Sequence, residues 1–310
     1  MIGKRRDIVT ASAAFLALHS LSVPSRALTP GVAMASDQIK ERRYYLDGPY
    51  GHIHVRDAAP VKAPRRYPLV CFHQSPISGL QYLLFQRALA PTRRVLCPDT
   101  PGFGGSDRPP FVPKIADYAR ALGEGLAALG FGPKKKIDVL GFHTGTLIAV
   151  ELAATRPDLV RRVVLSSLAL FTPEELARNR AGFGGPRPVF NDPGYVSRYF
   201  EQQVTNGLPG MLPERRLELF VERLRSGPLS WYGPEAVFEY DTATQVGKIT
   251  QPTLLLVMRD TLSENTRRAG TIIRRSQIVE RMDIHGPEGW DSRPDEIAKE
   301  VRIFLDQSSL

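Results

Sequence analysis

Residues 134–165, KKKIDVLGFHTGTLIAVELAATRPDLVRRVVL, restrict the fold more than any other stretch of this chain. The short apolar run ending at Phe142 suits a strand buried on both faces. TGTLIAVELAA then reads as a helix and RRVVL as a second strand. Strand, helix and strand in that order form a crossover unit of a parallel sheet. Between the first strand and the helix stands Gly141-Phe142-His143-Thr144-Gly145, a turn with a glycine on each side of a central histidine. Small flanking residues are what a sharp strand-to-helix turn requires.

The same alternation recurs along the chain. YPLVCFH and RRVLCPD read as strands, with GLQYLLFQRALA between them as a helix ending at Pro91. TPGFGGSDRPP is a glycine- and proline-rich loop, and KIADYARALGEGLAALG a helix closed by Gly130. RRYYLDG and YGHIHVRD predict an opening hairpin turning at Asp47-Gly48-Pro49. PTLLLVMRD, a helix around Asn265 to Arg274, QIVERMDIH and a closing helix PDEIAKEVRIFLDQ complete the series. From 170 to 246 the alternation stops, giving short helical pieces broken by GFGGPRP, NDPGY, NGLPGMLP and SGPLSWYGP. The expectation is an α/β fold: a mostly parallel, eight-stranded, doubly wound sheet built from 36–169 and 247–310. Residues 170–246 would form a helical lid over the carboxyl edge of the sheet, where open α/β sheets bind ligands.

Charge and composition narrow the partners. The 310-residue chain is 42% apolar and 24% charged, an ordinary globular balance. Its net charge of +9 is spread as pairs such as Arg42-Arg43, Arg161-Arg162 and Arg274-Arg275. No basic face with interleaved aromatics stands out, so nucleic acid is not an expected partner. Arg5-Arg6 precede a short apolar run from Ile8 to Leu18, with the small residues Ala33-Met34-Ala35 beyond it. This resembles a twin-arginine signal peptide over 1–35, implying a periplasmic or secreted protein with no membrane span after cleavage. Cleavage would remove four cations and one anion, lowering the formal charge to +6. Cys71 and Cys97 lie in runs expected to be adjacent strands, a poor disulfide geometry, so buried free thiols are the default.

With these residues in place, the chain resembles the α/β-hydrolase fold enzymes over residues 42–308. LVCFHQSP resembles the loop after the third strand that supplies part of an oxyanion hole, and VLCPDTPGFGGSD resembles the family's D-x-P-G-x-G-x-S loop. LGFHTG occupies the nucleophile elbow, LLLVMRDT ends in Asp260 where the family keeps an acid, and DIHGPEGW supplies His285 where it keeps a histidine. The resemblance therefore implies a catalytic set of His143, Asp260 and His285. It also implies an oxyanion hole from the backbone N–H groups of Ser75 and Thr144, and elbow glycines Gly141 and Gly145. Two departures stand out: His143 replaces the serine, and Gln74 replaces a glycine. The combination resembles a bacterial subgroup carrying histidine in place of the nucleophile. His285 also precedes Pro294 by nine residues, a longer gap than this fold commonly shows.

An imidazole at a helix N-terminus is disfavoured as a cation, so His143 is expected to be neutral near pH 7 and usable as base or nucleophile. Three mechanisms follow. His143 could form an acyl-imidazole opened by water; a histidine could activate water directly; or the Asp260–His285 pair could abstract a substrate proton. Direct water activation is preferred because acyl-imidazoles are labile. The functional expectation is a hydrolase of a small carbonyl substrate such as an ester or lactone. A lyase or cofactor-free proton-transfer enzyme and a non-catalytic ligand-binding protein are the alternatives. Gln74, Phe142, Trp231 and Tyr240 are candidate pocket residues. The spacing asks for no metal or cofactor. Plainer readings attach to the remaining residues: His52 and His54 as one exposed strand face, His73 as a satisfied structural histidine, and Ser106 as part of its loop.

Overall fold

The computed structural model describes residues 38–308 apart from 65, 184, 187–191, 193 and 208–209. The expected export segment lies outside the described residues. The apolar runs become strands β1 (Ile39–Gly48), β2 (Gly51–Pro60), β3 (Leu69–Phe72), β4 (Val95–Pro98), β5 (Ile137–Phe142), β6 (Val160–Ser166), β7 (Thr253–Arg259) and β8 (Ser276–His285). They form one sheet in the order β1-β2-β4-β3-β5-β6-β7-β8. β1 and β2 are antiparallel additions at one edge, and β3 to β8 pair in parallel. Every residue of β3, β4 and β5 is buried, which is why these runs carry apolar side chains without alternation.

Helices cover both faces. α1 (Leu83–Leu89), α2 (Ile115–Ala128) and α3 (Thr144–Thr155) follow the central strands. Between β6 and β7 come α4 (Pro173–Phe183), α5 (Gly194–Phe200), α6 (Pro213–Leu224), α7 (Tyr232–Phe238) and α8 (Thr242–Val246). α9 (Ser263–Ala269), α10 (Gly286–Ser292) and α11 (Pro294–Leu305) close the chain. No helix among the described residues is long and apolar enough to cross a membrane.

The strand order places the site. β3 lies between β4 and β5, so the chain winds one way from β3 to β4 and then crosses to the other side of β3 to form β5. The loops leaving the carboxyl ends of β3 and β5 therefore diverge from a switch point, where a crevice opens. Those loops carry Gln74-Ser75 and His143.

Two local differences from the sequence expectation have physical causes. The opening hairpin pairs through Gly48↔Gly51, so its turn is Pro49-Tyr50 rather than Asp47-Gly48-Pro49. Gly51 takes φ +113°, which supplies the reversal one step later than expected. The long gap between His285 and Pro294 is filled by α10, which inserts the fully buried Trp290 among Tyr82, Phe85 and Phe142 at ring-centroid distances of 5.0, 5.2 and 5.4 Å. Cys71 and Cys97 are buried free thiols on the neighbouring strands β3 and β4. Burial and the adjacent Cys97 sulfur push the Cys71 thiol well above its ordinary range, so it stays protonated.

Candidate active site

The elbow is built by close approach. A Cβ on Gly145 would lie 1.9 Å from the Phe72 carbonyl oxygen, and one on Gly141 would lie 2.3 Å from the Gly145 oxygen. Only glycine lets the first turn of α3 press against the end of β3. The chain between them turns through His143 at φ 48° and ψ −120°, a strained conformation for a residue with a side chain, of order 1–3 kcal/mol. The turn directs the imidazole into a cavity of about 510 Å³ lined also by Gln74, Ser75, Thr144, Phe238 and Thr261. His143 is half-buried where it lines this cavity. Burial lowers its pKa to about 4; Asp260 pulls it up and Arg223 pushes it further down. His143 is therefore a neutral imidazole at pH 7.

Asp260 stands at the end of β7 and is tightly held. Its Oδ1 accepts the Leu262 N–H at 2.7 Å and its Oδ2 accepts the Ser167 hydroxyl. Ser167 itself adopts φ 59°, which aims its side chain at the acid from the end of β6. Asp260 makes no direct hydrogen bond or ion pair with His143, and acts on it through space.

His285 departs from its expected role. Its ring makes neither a hydrogen bond nor an ion pair with Asp260, and it lines neither cavity described here. The backbone beside it does reach the acid: a Cβ on Gly286 would come within 2.5 Å of Asp260 Oδ2. His285 is the residue capping α10, and α10 is pinned by Trp290, so the strand end arrives while the ring does not. The expected Asp260–His285 couple is not formed.

The remaining residues divide. Ser75 and Thr144 meet at the cavity wall, where the Ser75 N–H donates to Thr144 Oγ1 at 3.4 Å. Gln74 lines the cavity, with its N–H donating to Gln81 Oε1 at 3.2 Å. Three expected pocket residues do not line it. Phe142 alternates to the opposite side of β5 and packs against Trp290. Tyr240 turns its hydroxyl to Glu151 at 2.7 Å on α3. Trp231 stacks edge-on with Tyr232. His54 also differs from expectation: it is buried, with Nδ1 2.8 Å from Asp99 Oδ2, because β2 pairs with β4 beneath the glycine-rich loop. Burial pushes Asp99 up, but its His54 hydrogen bond, nearby His73 and the Gly105 N–H outweigh this and hold the carboxyl below its usual range. His73 is satisfied on both nitrogens, by the Gln74 carbonyl at 2.7 Å and the Thr100 N–H at 2.8 Å. Ser106 donates to the Asp99 carbonyl at 2.8 Å.

Sequence reasoning missed Ser167, Thr261 and Arg223. Ser167 sits one residue beyond the end of β6 and Thr261 two beyond the end of β7, both beside Asp260, a signal readable in principle; Arg223 lies inside the insertion and carried none. Among the described residues no group of three or more His, Cys, Asp or Glu is placed to hold a metal ion.

A model of the alpha/beta hydrolase fold family matches residues 67–224, half of the chain and the part that contains β3, the elbow and α3. The chain belongs to this family. It is 31% identical over 115 residues to a proline iminopeptidase of Heyndrickxia coagulans, covering 34% of this chain and 36% of that one. It is 32% identical over 118 residues to a haloalkane dehalogenase of Mycolicibacterium paratuberculosis, covering 37% of each. The chain thus spans little more than a third of the length of these relatives. A thermophilic esterase from Thermogutta terrifontis superposes with a TM-score of 0.66 at 22% identity, covering 85% of this chain and 98% of that one. At that identity the likeness concerns the fold.

Proposed function

We propose that this protein hydrolyses a small carbonyl compound, an ester or lactone, with neutral His143 as the base that activates water. The observation that carries this reading is the imidazole held by a glycine-constrained elbow in a cavity beside Ser75 and Thr144. His143 takes a proton from water, and the hydroxide adds to the carbonyl carbon. The resulting oxyanion is stabilised by the Thr144 N–H and by the Ser75 N–H once it releases the long bond to Thr144 Oγ1. When the intermediate collapses, the departing alkoxide takes the proton back from the imidazolium. Asp260, held by Ser167 and the Leu262 N–H, stabilises that transient imidazolium through space. His285 has no part in the scheme. A proton-transfer lyase relying on an Asp260–His285 base loses support, because that couple is not assembled.

The test is turnover of short-chain nitrophenyl esters and lactones by wild type, His143→Ala and His285→Ala. General-base loss costs about 10²–10⁴-fold, so His143→Ala should fall by that factor while His285→Ala stays within about 3-fold. Full activity in His143→Ala would overturn the reading. No turnover in any form, with thermal stabilisation by a small ligand, would favour a binding protein. Export directed by residues 1–35 belongs to the same proposal; fractionation of expressing cells, with the mature N-terminus sequenced, tests it.

A further inference from the structure

Among the described residues that line the cavity, Arg223 is the single fully charged side chain. It lies near the carboxyl end of α6, half-buried, and lines the 510 Å³ cavity whose other described walls are apolar or neutral polar, His143 included. Its guanidinium has no hydrogen bond or ion pair among the described residues, although arginines elsewhere in this chain pair repeatedly with carboxylates. A half-buried guanidinium left with its donors unused is costly unless something else fills them. Arg223 and His143 line the same cavity, and the guanidinium lowers the proton affinity of the imidazole.

A second observation points the same way. Arg223, Gln74 and Gln202 also line an adjoining cavity of about 280 Å³. Gln81, 2% exposed, lines this side cavity, and its Nε2 has no partner although its Oε1 is used by the Gln74 N–H. A buried amide donor without an acceptor and a guanidinium without a carboxylate on the walls of one cavity are the two halves of a carboxylate site. The same cavity carries limits. Arg216 already donates to the Val204 carbonyl at 3.3 Å, and Glu288 contributes an opposing carboxylate. One negative charge is matched there; a second is not.

We propose that the substrate is a monoanion whose carboxylate docks on Arg223 at the junction of the two cavities, with its scissile carbonyl at His143. This deepens the hydrolase reading and rests on it for the scissile bond. The planar guanidinium suits a bidentate carboxylate, and the apolar walls suit a short hydrocarbon linker. Half-esters of four- to six-carbon dicarboxylic acids, and lactones bearing a side-chain carboxylate, fit this description.

Two measurements on the full chain separate the parts. The first compares kcat/KM for monomethyl and dimethyl glutarate in wild type, Arg223→Gln and Arg223→Lys, each checked for an unchanged melting curve. Wild type should favour the half-ester by at least about 10-fold, carried mostly in KM. Arg223→Gln should abolish that preference, and Arg223→Lys should restore part of it. The second is thermal stabilisation by glutaramate, the uncleaved monoamide monoanion, against neutral glutaramide, which needs no turnover. Stabilisation by glutaramate but not glutaramide in wild type, lost in Arg223→Gln, upholds the carboxylate site even where no ester is cleaved, in which case the hydrolase reading alone falls. Equal handling of the two esters, a preference that survives Arg223→Gln, or an equal glutaramate response in wild type and Arg223→Gln overturns the site.

Discussion

The carboxyl ends of β5 and β8 each present a histidine at the same edge of the sheet, and the two are sent to different places. At β5, two glycines let α3 pack so close to β3 that the intervening residue has one direction left, into the cavity. At β8, the chain runs straight into α10, whose Trp290 is locked among three aromatic rings, and His285 is left outside the cavity. The order of motifs led to the same expectation for both histidines, a side chain in the cavity. A place in the order of motifs sets which strand end carries a side chain. Its aim is set by the backbone that follows.

That contrast can be broken at either loop. The largest effect is expected for Gly145→Ala, whose methyl would meet backbone atoms at 1.9 and 2.5 Å that no rotamer can relieve. Overpacking against backbone should cost more than about 4 kcal/mol, and failure to purify folded protein is the expected outcome. A stable, active Gly145→Ala would mean the elbow is not held as described. Next comes the asymmetry between the histidines, with His143→Ala losing about 10²–10⁴-fold in kcat/KM while His285→Ala stays close to wild type. Trp290→Ala should then destabilise by about 3–5 kcal/mol in a denaturant titration, since it empties a closed aromatic site. A loss under about 1 kcal/mol would remove the account of why His285 sits where it does.

The finest distinction is pH. Because the proton affinity of His143 is lowered, the active neutral form persists down to about pH 4. Activity should fall only on acidification through that value and stay level from pH 5.5 to 8. An acidic limb near 6.5, the ordinary histidine range, would point to a different imidazole as the base. Arg223→Gln removes one of the influences that lowers the affinity, so its limb should move slightly upward.

The strand runs, the elbow and its glycines, and the insertion were legible in the sequence because each depends on local pattern: burial on both faces, close backbone approach, connection length. The positions of His143 and Asp260 followed from strand ends. His285, Phe142 and Tyr240 were misplaced for one shared reason. Each is directed by packing distant in the chain: Tyr82 and Phe85 against Trp290 near His285, Trp290 against Phe142, and Glu151 for Tyr240. His54 was misread likewise, since periodicity within one strand does not report the loop that covers it.

From its residues alone this chain determines a parallel sheet with a histidine on a glycine-flanked strand-to-helix turn, because apolar period and glycine spacing act over a few residues. Tertiary structure alone decides that Asp260 answers to Ser167 rather than to His285, and that an arginine from the insertion supplies the single fixed charge among the described walls of the cavity. Those choices join segments 93 residues apart in one case, and in the other they depend on how a helix of the insertion settles over the sheet. Long-range packing sets such distances, and no local pattern encodes them.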